Sequence, residues 1–424
     1  MKKKKFSLML AALIGVAALG AGCAEKEPGN TDDGAFLPRL DTSAGKEIEL
    51  ASFFGNFEAL DKVINDFNEF YPGVKITYAQ YKDTKDNFLQ ENPSIDIMMT
   101  SGERGYDETA CVNLAEEGID GSTLQENIRA ASVKDGKMFS LPMGLKLDGM
   151  VVNKTLLANE GLAVPGTWQE FLDVLSALKQ KGYTPIQGPD NYMNALTYGM
   201  NMCLLSKDSA LLDAVKTNDE AGASKLTEVY EKLATLGENG YFTQEVNATY
   251  PDNNYDGAIM NFFKGDVPFW LCDTEKVSGM KKRETRSEEF KANPFEYEFM
   301  LAPMGENGAY AWVEPWYGFA VNKNSDVCDY ATEFLRFMSR TEELNAMASI
   351  KGIPSAAAVS SDERYAGLAN AKMQVAAVCD YSIPSYFGSN QSVAAYDLLH
   401  GTYSTPAEAL RGYLAACYER EQTK

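Results

Sequence analysis

The chain has 424 residues, with 60 acidic and 39 basic side chains and a formal net charge of −21. That balance excludes nucleic acid as a partner, since phosphate contacts need a basic surface. An apolar content of 45% over this length supports a large core in two or three domains and excludes a disordered chain.

The chain opens with Met1 and Lys2–Lys5, followed by an apolar run from Phe6 to Gly22 and then Cys23. A positive start, a short apolar stretch and small residues before a cleavage point mark an export signal. The run is shorter than the roughly 20 apolar residues of a spanning helix. Residues 24–44 are polar, carry Gly, Pro and acids and lack periodicity, which is the composition of a flexible tether. Six further cysteines (Cys111, Cys203, Cys272, Cys328, Cys379, Cys417) are scattered without CxxC spacing. That scatter does not suit zinc. It suits either some pairing in an oxidising compartment or buried free thiols.

Glu47–Phe54 alternates as a strand, and Gly55-Asn56 breaks it. Leu60, Val63, Ile64, Phe67 and Phe70 then fall on one helix face, with Asn56 as N-cap candidate and Tyr71-Pro72-Gly73 as the stop. Val74–Tyr78 and Ile95–Met99 complete a βαβ-type opening to a mostly parallel sheet. On such sheets ligands sit past the carboxyl ends of the strands, here at Phe54–Asn56 and Ser101–Glu103. The next stretch, 135–155, holds a strand at Met138–Met143 and another at Met150–Val152. Gly144 and Gly149 flank Leu145-Lys146-Leu147-Asp148 between them. Pro, Gly and charges inside such a run make a poor mid-sheet strand. It reads as a passage between two sheets, or as a strand–bulge–strand within one.

Beyond it, Thr167 and Glu170 form a capping box for a helix with Phe171, Leu172, Val174, Leu175 and Leu178 as its stripe. A short strand is expected near Ile186, helices over 192–215, 221–237 and 258–264, and strands over Val267–Leu271 and Tyr297–Leu301. Trp312–Phe319 is an aromatic-rich segment running into a strand at Gly318–Val321. Tyr330–Ser339 is a helix with Ala331, Phe334, Leu335 and Met338 on one side.

The pieces NFEALDKVINDFNEFYPGVKITY, SIDIMMTSG, DGKMFSLP, MVVNKTLLANEGLAVPGTWQEFLDVLSALKQKGYTPI, AIMNFFKGDVPFWL, GFAVNKNS and ATEFLRFMSR follow one another over nearly the whole chain. In order and wording they resemble the extracellular solute-binding proteins of bacterial ABC sugar importers, family 1, maltodextrin-binding type. Cys23 after Ala21-Gly22 likewise resembles a lipoprotein lipobox, although Leu19 stands one place further back than the usual pattern.

The resemblance implies an α/β fold of type II, with two discontinuous lobes joined by hinge strands and a ligand held between them. Residues 1–22 would be the signal peptide, with lipidation at Cys23, and 23–44 the tether. One lobe would comprise 45–145 plus 303–350, the other 146–302 plus 351–424. Passages would lie near Leu141–Asp148, Leu301–Met304 and Lys351–Pro354. The implied partners are a carbohydrate, in the first place an oligosaccharide, and the permease subunits of an ABC transporter. The membrane would be met through the lipid anchor alone, by a monomer without cofactor or metal.

Pyranose faces lie on aromatic rings and their hydroxyls seek carboxylates, amides and cations. Tyr192, after Pro189-Asp190-Asn191, and Tyr386, after Ile383-Pro384-Ser385, resemble the family's stacking aromatics. Trp316 and Tyr317, with Glu314, lie in a polar-aromatic loop. Phe54 and Asn56 face the first strand end, with core packing and helix capping as their plain alternatives. Glu103 resembles a hydroxyl-binding acid, against a solvated loop charge. Lys146 and Asp148 are ligand grips or a hinge salt bridge. Asp273 stands where the family has a polar turn followed by a Trp, which this chain lacks. Trp270 reads as core.

Enzyme chemistry has little support. The chain has one histidine, His400, and neither GxSxG, HExxH nor a P-loop. A glycosidase needs only two suitably spaced carboxylates. It therefore stays as an alternative, beside a binding lipoprotein for a non-sugar polar ligand.

Overall fold

Leu60, Val63, Ile64 and Phe67 are all buried on one face of the helix Glu58–Phe70, which packs beside strands β1 (Lys46–Ser52) and β2 (Val74–Gln80). The computed structural model of the protein describes residues 35–101, 106–188, 195–242, 255–357, 362–378 and 383–423. The helix begins at Glu58 with Phe57 in the capping position. Asn56 is left exposed, and the Phe57 amide donates to the Tyr78 hydroxyl at 3.0 Å.

β1 pairs in parallel with β2 and with β3 (Ile97–Thr100), and β3 pairs antiparallel with β9 (Ala309–Val321). β9 is 13 residues long and serves several neighbours. Its first half pairs in parallel with β10 (Met373–Val378), and its second half takes β3 and β4 (Leu141–Lys146). The aromatic segment and the strand expected after it are thus one element. A second sheet has the order β6 (Ile186–Gln187), β7 (Phe269–Asp273), β5 (Asp148–Asn153), β8 (Tyr297–Met300). Alternation splits its faces. Val151, Trp270 and Cys272 join the core of the larger sheet, whereas Met150, Val152, Phe269 and Leu271 pack on a helical layer that includes Tyr198–Lys207, Thr227–Glu238 and Pro406–Gln422.

The chain leaves the larger sheet for the smaller one at Leu147, the one residue between β4 and β5. It is a passage, not a bulge within one sheet. Thr274, just past β7, fastens it: its amide donates to the Leu147 carbonyl (3.0 Å), and its hydroxyl donates to the Leu145 carbonyl (3.2 Å) and accepts from the Leu147 amide (3.3 Å). The chain at Pro354 runs alongside, the Leu145 amide donating to the Pro354 carbonyl at 2.9 Å. Gly144 is required at that contact. A Cβ built on it would lie 2.2 Å from Ile353 Cδ1 and 3.0 Å from the Pro354 carbonyl oxygen.

The last part of the expected tether is not loose. Phe36 is buried edge-on against Phe70 and Phe337, and the Arg39 amide donates to Tyr71 Oη and Glu333 Oε1, each at 3.0 Å. One aromatic residue with two rings to enter is enough to dock the segment from residue 35 onward. The five described cysteines are free thiols, with Cys203, Cys272 and Cys417 fully buried. Cys23 and Cys379 lie outside the described residues. Among the described residues no helix is long and apolar enough to cross a membrane.

Gly144→Ala is expected to destabilise the protein by about 1–3 kcal/mol through overpacking. In an Ile353→Ala background the same glycine change should cost less, since its closest clash is removed. Urea denaturation of the four proteins measures this, and full additivity would refute the contact.

Candidate ligand-binding site

Strand register gathers the charges of the passage. Lys146 lies opposite Glu314 in the β4–β9 pairing, and Asp148 lies opposite Asp273 in the β5–β7 pairing. Burial disfavours the charged form of Lys146, but Asp148, Glu314, Asp273 and Glu275 outweigh it and hold its pKa above the ordinary lysine value. For Asp148 burial wins. It lifts the carboxyl to about 7 against the pull of Lys146, with Asp273 and Glu314 adding repulsion. Asp273 is buried and caps the helix Thr274–Ser278, accepting from the Lys276 amide at 2.9 Å. Glu314 Oε1 is fixed by Trp312 Nε1 and Tyr198 Oη, each donating at 3.1 Å.

Beside this cluster Tyr317 adopts φ +39°, a conformation that non-glycine residues seldom hold and that costs of order 1–3 kcal/mol. Its ring packs on Trp316 (4.0 Å between centroids), Phe54 (5.2 Å) and Phe53 (5.5 Å), and its hydroxyl donates to Glu275 Oε1 at 3.3 Å. Burial and then Glu275 raise the pKa of the phenol, so it stays a hydrogen-bond donor. Tyr317 lines two cavities. One, of about 620 Å³, is bounded by Thr100, Ser101, Pro142, Gly318 and Lys323 of the larger sheet and its loops. The other, of about 760 Å³, is lined by Phe54, Asn56, Trp316, Lys351, Glu275 and Lys282. Aromatic faces, an amide, carboxylates and ammonium groups meet in the second, the set of partners that a polar, ring-shaped molecule uses. It therefore spans elements attached to both sheets.

The structure thus brings Phe54, Asn56, Trp316 and Tyr317 to one groove and sets Lys146, Asp148 and Asp273 beside it. Trp316 is 6% exposed, so at most its edge reaches the groove. Trp270 is core, stacked on Phe262. Tyr386 lines neither cavity; it packs on the helical layer and donates its hydroxyl to Glu421. Glu103 and Tyr192 lie outside the described residues. Residue type and spacing do not mark Lys351 or Glu275, and Glu314 is marked only as a neighbour of Trp316. Lys351 was visible as a charge at the start of an expected passage, but only the fold shows it over Phe54. Among the described residues no group of His, Cys, Asp or Glu is arranged to hold a metal ion.

The Asp148 carboxyl has a folded-state pKa of about 7 against 3.8 ordinarily, so the folded protein holds an extra proton between those values. Stability therefore falls as pH rises through that window. Asp148→Asn is expected to lead the parent already at pH 5 and to lead it further at pH 8, the gap widening by on the order of 1 kcal/mol or more. Denaturant melts at both pH values give the comparison, and a variant less stable at pH 8 would contradict the assignment.

The sequence model of the bacterial extracellular solute-binding protein family matches residues 62–374, well over half of the chain. A probable sugar-binding periplasmic protein of Rhizobium meliloti (strain 1021) is 25% identical over 150 residues, which is 35% of this chain and 33% of that protein. The alignment therefore spans about a third of the relative's length. Among solved structures, a sugar transporter of Bacillus licheniformis in complex with stachyose aligns with a TM-score of 0.61 and 19% identity, covering 89% of this chain and all of that one. A binding protein of Bacillus subtilis strain 168, in an open conformation, aligns with a TM-score of 0.67 and 16% identity over 91% of this chain and 99% of that one. These likenesses establish the two-lobed α/β fold. By the match along its own sequence, the chain belongs to the bacterial extracellular solute-binding protein family.

Proposed function

We propose that the protein captures a carbohydrate, in the first place an oligosaccharide, in the groove beside Tyr317 and delivers it to the permease subunits of an ABC importer. The observation that carries this reading is the groove itself. A strained tyrosine, backed by Phe53, Phe54 and Trp316, stands among a fixed array of carboxylates and ammonium groups where the two sheets join. Flat rings suit the C–H faces of a pyranose, and the charged rim suits its hydroxyls. The curated relative's description as sugar-binding and the stachyose bound to the Bacillus licheniformis protein support the ligand class. The reading is of binding without bond-breaking.

The lobes proposed are 45–145 plus 303–350 and 146–302 plus 351–424. Ligand contacts on both would favour a closed state, because closure is driven only by ligand bound better in it. Signal-peptide removal and lipidation at Cys23 would hold the monomer at the outer face of the cell membrane.

A panel of neutral and charged glycans read by thermal shift is expected to yield a hit that raises Tm, a ligand at a hundred times its Kd adding about 2.7 kcal/mol. Tyr317→Ala should weaken that hit roughly tenfold or more by calorimetry, through loss of ring stacking and the Glu275 bond. A panel without hits, answered instead by polyamines or other polar metabolites, would replace the sugar with such a ligand. Turnover of a hit would replace the receptor with an enzyme.

A further inference from the structure

The two cavities beside Tyr317 differ in charge. Among the described residues the 620 Å³ cavity is balanced, with Lys134, Lys137 and Lys323 against Glu108, Glu116 and Asp135. The 760 Å³ groove carries Lys276, Lys281, Lys282, Arg283, Lys351 and Arg364 against two carboxylates, Glu58 and Glu275. So basic a wall is unexpected in a chain with 60 acids to 39 bases.

Most of these cations are held from outside the wall. Arg364 is paired with Asp362, Arg283 with Asp256, Lys281 with Glu363 and Lys276 with Asp273. Lys351 is different. Its ammonium sits 4.1 Å from the centroid of Phe54, 5.6 Å from Trp316 and 5.9 Å from Phe57, and no carboxylate forms an ion pair with it among the described residues. Lys282, exposed, lines the same groove and likewise has no ion pair among the described residues. A partly buried ammonium over three rings is stabilised by their faces but keeps hydrogen-bond capacity for an anion. Burial lowers its pKa, with Glu275 opposing, as befits a cation short of counter-charge. The aromatic floor and the two cations together form a clamp for a sugar ring that bears a negative group.

Resting on the carbohydrate reading above, we propose that the ligand is an acidic oligosaccharide, whose carboxylate or sulfate is taken by Lys351 and Lys282 while its rings lie against Phe54 and Tyr317. A structural role for Lys351, as a cation closing the end of the helix Thr341–Lys351, predicts no such preference.

The test is calorimetric titration of the full chain with three matched oligosaccharide sets: uronic acids, sulfated sugars and their neutral parents. Charge-assisted hydrogen bonds should give at least one acidic set roughly a tenfold advantage over its neutral parent, and added salt should shrink that advantage. Which set wins identifies the anion. Lys351→Met should abolish the advantage, Lys351→Arg should retain most of it, and Lys282→Gln should reduce it in a fold left intact. Neutral parents bound as well as or better than the acids would overturn the proposal while leaving the carbohydrate reading standing. An advantage that survives Lys351→Met would overturn it too. Failure of every set would remove both readings together.

Discussion

A lysine placed in a strand between two packed sheets is tolerable only if the fold supplies it with counter-charges, since an unpaired buried ion is among the costliest features a protein can hold. Lys146 is half-buried in that position, and four acidic side chains answer it. Glu314 arrives through the β4–β9 register of the larger sheet, Asp148 along the passage itself, and Asp273 through the β5–β7 register of the smaller sheet. The joint and the site are consequently the same object. A shift of one residue in either pairing would turn these side chains to the opposite face and leave the ammonium uncompensated. The Thr274 bonds to Leu145 and Leu147 hold the registers against that slip.

Tyr317 adds the second demand. Its left-handed backbone angle is unfavourable, and the surroundings enforce it. The chain on either side is committed to the β4 pairing, with Trp316 opposite Gly144 and Gly318 opposite Pro142. Pre-setting the ring in this way removes a freedom that a ligand would otherwise have to freeze. The carboxylates around it differ in kind. Glu314 is oriented by two donors, Asp273 is tied into a helix cap, and Asp148 bears the burial penalty.

Local pattern made the elements legible. The three-and-four spacing from Leu60 to Phe67 and the Thr167 cap, which accepts from the Glu170 amide at 3.4 Å, lie where the sequence puts them. The passage at Leu147 was marked by its glycines, yet the reason for Gly144 is Ile353, more than two hundred residues away, and no local signal carries that. Asn56 looked like a cap, but the tertiary contact between Phe57 and the Tyr78 hydroxyl sets the helix start instead. Residue type and loop position likewise failed for Tyr386, which begins a helix and turns toward Glu421. Lys351 and Glu275 were hidden for the same reason. Each gains its role only from a ring or hydroxyl that the fold brings in from elsewhere.

The sealed thiols give the molecule a built-in clock. Cys272 sits in β7 directly across from Gly149, at the joint, while Cys203 and Cys417 sit in the helical layer. Burial pushes Cys203 and Cys417 up to about 12 and raises Cys272 well above the ordinary thiol value, so an alkylating reagent finds almost no thiolate while the body stays shut. The pace at which each sulfur is modified then times the opening of its own neighbourhood, joint and helices separately, with no label introduced.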